Sequence, residues 1–447
     1  MSTSPVVSPE LLEVAERCQK IALAKGAGEV AARAYKVRDV NVQWRDGKLE
    51  QVGEATTRGV SLQLYVDGRF SAVSSSDLRP EALETFIADA VVMTRSLAPD
   101  PFRSLADPKL YAGQPQVDLR LEDPAYATVS AEKRRQVAQE LEEAARGVKG
   151  AEHILSVTTG FGDNRSESVR VHSNGFTGAR VDTAFSASAQ VSVKDPDGRR
   201  PEDAAWATVR FVGEMPGAAE IGRRAAERTL ARLGAKKSAS SVLPMVLENR
   251  AAGRLVGALT SGLSGQALQQ KRSFLEGKLG QAVGSSHLTL TDDPLIPKGF
   301  GSRLFDGEGI AAKAMPIFEK GVLRHYYIDT YYGKKLQIAP TTGGSSNLEF
   351  ALGDRGQAEL VAQIPDGILV TGFLGGNSNA TTGDFSLGVQ GFRIRQGQLA
   401  EPVGEMNISG NHLEFWPRLV AAGNDPWPYS SLRSPTLVFE GVQFAGV

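Results

Sequence analysis

Apolar residues recur at helical spacing near the start of the chain, at Leu11, Ala15, Cys18 and Ala22. Ser8 is placed to cap that helix, Pro9 suits its first turn and Gly26 suits its end. The period then shortens to two, as in Ser61-Leu62-Gln63-Leu64-Tyr65 and Phe70-Ser71-Ala72-Val73, with turn signals at Asp46-Gly47 and Asp67-Gly68. A second helix from Pro80 to about Leu97 closes the unit, and Pro99, Pro101, Pro108, Pro115 and Pro124 mark a linker. The same order then returns. A helix from Ser130 carries Val137, Leu141 and Ala145 on one face, strand-like runs follow around an Asn174-Gly175 turn, and a helix from Pro216 to about Leu233 closes. This repetition is compatible with an internal duplication, although no residue-level repeat accompanies it. After the polar junction Ala235–Ser241 the texture becomes glycine-rich and mostly β, opening on Val242–Leu247 and a helix with Leu255, Leu259 and Leu263. Short strands with turns such as Lys320-Gly321 and Gln396-Gly397 follow. The pattern predicts an α+β protein: two helix–antiparallel sheet–helix units at 1–110 and 111–235, then a β-rich, curled or barrel-like domain at 236–447.

Charge narrows the function classes. Fifty Lys and Arg face 51 Asp and Glu, a net charge of −1, so nothing draws the chain as a whole to nucleic acid or to an anionic membrane. Its one cysteine, Cys18, excludes an intrachain disulfide and a thiolate metal cluster, and its place on the first apolar stripe predicts a small buried hydrophobe. Met1–Gln19 has no apolar core or twin arginine, and no 18-residue apolar run occurs; the expectation is a cytoplasmic protein without a membrane partner.

The sequence carries no recognisable catalytic motif. The five histidines, His153, His172, His287, His325 and His412, form no HExxH, HExxxH or HxH pair. No GxSxG elbow or GxxxxGK[ST] loop occurs; Ser264 lacks the flanking pattern, Ser130 is explained as a helix cap, and Gly372–Gly376 lacks a βαβ context. Two acidic, glycine-rich clusters remain, Phe305-Asp306-Gly307-Glu308-Gly309 and Thr381-Thr382-Gly383-Asp384-Phe385-Ser386. Carboxylates between glycines can bind a cation, orient a peptide amine, or accept backbone N–H groups in tight turns, the last being the simplest account.

Ser273-Phe274-Leu275, Asp292-Asp293-Pro294, Phe305–Gly309, Gly321-Val322-Leu323, Thr382–Ser386 and Gly423-Asn424-Asp425 occur in an order that resembles the TldD/PmbA family, also called modulators of DNA gyrase. The likeness extends over nearly the whole chain. In TldD-like members the helix before a Gly-Leu-x-Gly segment carries HExxxH, whose histidines hold zinc while the glutamate activates water; a C-terminal cysteine is a further ligand. Here the segment is Gly262-Leu263-Ser264-Gly265, the histidine positions hold Val256 and Ser261, the glutamate position holds Gly257, and no cysteine follows Cys18. The chain thus resembles the PmbA branch, also known as TldE. That resemblance implies a subunit with no catalytic or metal residue of its own, paired with a TldD-like subunit that carries zinc and acts on unfolded or short peptides. It also makes Asp306, Glu308, Gly309, Thr382 and Asp384 candidates for shaping the peptide cavity. Two alternatives stand beside it: an independent peptidase with a relocated site around Asp306, Glu308 and His325, and a non-enzymatic homodimer that holds peptides.

Overall fold

The first helical stripe folds as expected. In the computed structural model, which describes residues 7–446, α1 (Pro9–Ala24) buries Leu11, Val14, Ala15, Cys18 and Ala22. Residues 1–6, the start of the stretch read as lacking a targeting segment, lie outside the described residues. Burial pushes the Cys18 thiol up to about 11, as befits an inert core residue. Ser8 makes no side-chain cap; its backbone N–H donates instead to Glu167 Oε2 at 3.1 Å.

The alternating segments build longer strands than the short apolar runs suggested: β1 (Glu29–Arg45), β2 (Lys48–Val66) and β3 (Arg69–Ser75), followed by α2 (Pro80–Arg95). After α3 (Ala131–Arg146) come β4 (Ile154–His172), β5 (Thr177–Val193) and β6 (Glu202–Val209), and then α4 (Ala218–Leu230). Each unit has its own core under its own helices. Val30, Ala32, Leu62 and Leu64 pack with Ile87 of α2, while Leu141, Phe185, Val191 and Ile221 pack in the second unit. The two sheets nevertheless join edge to edge. Strand β1 pairs antiparallel with β4 from Ala31↔His172 to Arg45↔Thr158, giving one six-stranded sheet in the order β3-β2-β1-β4-β5-β6.

The helices cover one face of this sheet. Its other face is polar and docks on the C-terminal region: Arg180 donates to the Ser302 carbonyl at 2.8 Å, and Arg210 donates to the Phe300 carbonyl at 3.0 Å.

The β-rich region starts with β7 (Ser241–Leu247), α5 (Asn249–Thr260) and α6 (Gly265–Gln269). A small five-stranded sheet is made of β8 (Leu290–Asp292), β9 (Met315–Glu319), β10 (Val322–Leu323), β11 (Leu348–Phe350) and, parallel to β11, the late strand β16 (Leu432–Arg433), with α7 (Thr330–Leu336) beside it. The long strands are β12 (Asp366–Ser378), β13 (Asp384–Arg395) and β14 (Gln398–Asn411). Two short ones, β15 (Leu419–Ala422) and β16 (Leu432–Arg433), precede β17 (Leu437–Ala445). The ring β7-β12-β13-β14-β17 closes on itself: β12 runs parallel to β7, β17 is antiparallel to β7, and β14 meets β17 at Asn407↔Ala445 and Ile408↔Phe444. The expected barrel is therefore a closed one of five strands. Leu255, Val256 and Leu259 of α5 pack against its apolar residues Ile368, Val370, Leu387 and Phe439. Among the described residues no helix is long and apolar enough to cross a membrane.

Candidate functional site

A polar cleft of about 390 Å³ opens where the uncovered face of the N-terminal sheet meets the loops of the small C-terminal sheet. Strands β2, β3 and β4 contribute Tyr65, Phe70 and Arg170; the linker contributes Arg103; the loops contribute Arg303, Asp306 and Glu308, and the first turn of α7 contributes Tyr331. The first acidic cluster thus faces a real cavity, but its two carboxylates are used very differently.

Asp306 is buried, and its carboxylate accepts from the backbone N–H groups of Glu308 (2.8 Å), Ile310 (3.0 Å) and Gly343 (3.3 Å) and from the Thr342 hydroxyl (3.0 Å). It ties the turn to the 342–344 loop, as expected of an acid between glycines. Gly309 closes that turn at φ +82°, and a Cβ there would stand 2.8 Å from the Phe176 ring, so both conformation and space call for glycine.

Glu308 is half-buried and points one oxygen at the start of α7, where Oε2 accepts from Thr330 N (2.8 Å) and Thr330 Oγ1 (2.9 Å). Its other oxygen has no hydrogen bond among the described residues. Burial pushes its carboxyl up to about 6, with Asp306 and Asp329 adding to the rise and the two Thr330 bonds holding it back. Arg170 lines the same cleft from β4, directly opposite Arg33 in β1, and has neither hydrogen bond nor ion pair among the described residues. Burial and the neighbouring Arg33 hold its guanidinium below the ordinary arginine range, while Asp306 and Glu308 pull the other way. Arg103 lies over the Tyr331 ring at 3.5 Å and the Phe70 ring at 4.5 Å, forming an aromatic wall. A neighbouring hollow of about 420 Å³ beneath residues 117–124 is flanked by Leu119, Phe211 and Phe305. Of its arginines, Arg180 is engaged by Asp182 and the Ser302 carbonyl, Arg303 by the Gly344 and Ser345 carbonyls, and Arg120 lies over the Phe211 ring, which leaves the polar cleft as the better-equipped site.

The other sequence candidates lie elsewhere. Thr382 and Asp384 are exposed at the β12–β13 turn, where Asn411 Nδ2 donates to Asp384 Oδ1 at 2.9 Å; neither lines the cleft. His325 is also outside it, with Nδ1 donating to the Pro316 carbonyl at 2.7 Å. Val256 is fully buried in the core, Gly257 is exposed with open space where a side chain would start, and the exposed Ser261 donates its hydroxyl to the Ala258 carbonyl at 2.7 Å. A hydrocarbon, a missing side chain and a hydroxyl turned to its own backbone do not fit a zinc ion. Among the described residues no three His, Cys, Asp or Glu side chains gather as a metal set.

One histidine touches a serine. The buried His412 ring approaches Ser378 Oγ at 2.9 Å through Nε2 and accepts the Trp416 indole N–H at 3.2 Å on Nδ1. An indole only donates, so Nδ1 is the acceptor and the neutral ring carries its proton on Nε2, which donates to Ser378. Burial pushes His412 down to about 4, keeping the ring neutral. A ring in this tautomer has no lone pair facing Ser378 and cannot take the serine's proton, so the pair is no nucleophile–base dyad.

Arg170, Arg103 and Tyr331 were not singled out from sequence. In Val169-Arg170-Val171 the arginine reads as the solvent side of an ordinary strand, and only the docked C-terminal region turns that side into a cleft wall.

Three domain signatures of the PmbA/TldA metallopeptidases match the chain: domain 1 at residues 30–94, the central domain at 124–233 and the C-terminal domain at 240–446. A curated relative, metalloprotease PmbA of Escherichia coli O157:H7, is 29% identical over 95% of this chain and 94% of its own length. Among solved structures, a protein described as a modulator of DNA gyrase from Bacteroides thetaiotaomicron superposes with a TM-score of 0.96 at 40% identity, over 99% of this chain and all of that one (100%). TldE from Thermococcus kodakarensis shares the fold, with a TM-score of 0.86 at 19% identity over 97% of this chain and 100% of that one.

Proposed function

Because the chain belongs to the PmbA/TldD metallopeptidase family, we propose that it is the metal-free subunit of a cytoplasmic metalloprotease whose TldD-like partner carries the zinc. The substrates are unfolded or short peptides. The observation behind this reading is the end of α5, where the HExxxH positions of TldD-like members hold Val256, Gly257 and Ser261. Val256 belongs to the barrel core, so restoring a ligand there would mean burying an imidazole among leucines. The subunit's part is to enclose the peptide and present it, a task suited to a polar cleft with aromatic walls.

The test is reconstitution. The chain purified alone should hold far less than one zinc per molecule and cleave no peptide, and cleavage should appear when a TldD-like chain is added and co-elutes with it. Zinc-dependent cleavage by the chain alone, lost on chelation, would overturn the proposal.

A further inference from the structure

The charged groups of the polar cleft divide into those already committed within the protein and those left over. Asp306 is occupied by the four donors described above. Arg303 donates to the carbonyls of Ser345 and Gly344 and to the Thr342 hydroxyl, at 3.1, 2.6 and 3.2 Å. Asp329 caps α7 through Tyr332 N at 2.7 Å, and Arg103 is stacked between Tyr331 and Phe70. What remains is one cation and one anion: the whole guanidinium of Arg170 and one oxygen of Glu308. Each sits on a separate element, β4 and the Phe305–Gly309 turn between β8 and β9, and they do not reach each other as an ion pair.

A half-buried charge without a partner is costly unless something else satisfies it. A small anion such as phosphate would suit Arg170 but meet the repulsion of Glu308; a polyamine would meet the reverse. A molecule carrying both a carboxylate and an ammonium satisfies both groups. Guanidinium binds a carboxylate through two parallel N–H bonds, and a free carboxylate oxygen takes an ammonium. The cleft volume of about 390 Å³ suits a small ligand rather than a folded segment, and Tyr65, Phe70 and Tyr331 offer flat walls to its backbone.

We infer that this cleft binds a short peptide by its two free ends, the C-terminal carboxylate on Arg170 and the N-terminal ammonium on Glu308. Such a site retains small products or measures the length of short substrates. Binding itself needs neither zinc nor a partner subunit and can fail or hold independently of the proposed assembly; the use of the site for substrates and products rests on that reading.

The experiment is calorimetric titration of the full chain with Ala-Ala-Ala, its C-terminal amide and its N-acetyl form at pH 7.5. Ala-Ala-Ala should bind, and each blocked form should bind at least tenfold more weakly. Arg170→Gln should abolish the discrimination against the amide, and Glu308→Gln the discrimination against the acetylated form. Arg170→Lys, which keeps the charge and loses the fork, should fall between, with unfolding curves confirming that each variant is folded. Absence of heat at 10 mM Ala-Ala-Ala (on the order of the weakest binding worth calling a site) overturns the inference. So does equal binding of all three peptides, or discrimination that survives both substitutions.

Discussion

Replacing Glu308 with glutamine should make the protein more stable at pH 7 and leave it unchanged at pH 4. Burial raises the Glu308 carboxyl from the ordinary 4.5 to about 6 in the folded chain. Between those two values the folded state binds more protons than the unfolded state, so stability falls as pH rises through that window. The rise corresponds to about 2 kcal/mol of stability lost once the group is fully ionised above pH 6. Glutamine is neutral throughout, and its amide oxygen can still accept from Thr330 N and Oγ1. For a chain of 447 residues, about 2 kcal/mol is a rise of roughly 2 °C in Tm if the protein unfolds as one unit, and more if a smaller domain melts alone. Differential scanning calorimetry of both proteins from pH 4 to pH 8 reads this directly: the two Tm curves should coincide near pH 4 and separate above pH 5. Parallel curves, or a variant less stable at pH 7, would refute the idea that the charge is held at a cost to the fold. A residue that lowers stability in its working ionisation state is one retained for what it binds.

The neighbouring carboxylate should respond with the opposite sign: Asp306→Ala strands four donors and should lower stability by about 3 kcal/mol at pH 7, measured by denaturant unfolding. His412→Phe keeps the stack on Phe274 and Phe385 but leaves the Trp416 indole N–H unpaired, so it should cost about 1–3 kcal/mol at pH 7. Because burial depresses His412 to about 4, the unfolded chain binds more protons between pH 4 and 6.5, and stability is lost as pH falls through that range, by up to about 3 kcal/mol. The phenylalanine variant should therefore show a shallower decline of Tm with acid, His172, pushed down to about 3, keeping its own share. Gly257→Ala should stabilise α5 by up to about 1 kcal/mol, since a Cβ there meets nothing within 4 Å; a fall in Tm would show that this position needs glycine.

Local pattern carried the reading of the fold as far as local pattern reaches. The stripe Leu11–Ala22 and the alternation around Leu62 and Leu64 are visible because each element buries one face, and burial writes itself into the period. The pairing of β1 with β4 joins Ala31 to His172, and barrel closure joins Ile408 to Phe444. Such contacts leave no period in the sequence. Nor does the alternation say how long a strand is: β4 continues through Gly160 and Gly162, because an antiparallel ladder bonds backbone to backbone whatever the side chain.

The site was legible in the same partial way. Sequence could place Asp306 and Glu308 together in one glycine-rich turn, and it could name both uses of such a turn, bracing and binding. It could not divide the two uses between the two residues, because that depends on which donors arrive from Thr330, Thr342 and Gly343, brought in by other loops. Once they arrive, Asp306 is fully spent on the fold, whereas Glu308 keeps one oxygen without a protein donor in the cleft that the unpaired Arg170 also lines. Two carboxylates two residues apart thus belong to different parts of the protein's chemistry. The distinguishing quantity is not their exposure or their sequence neighbours but the number of protein donors each has left unclaimed.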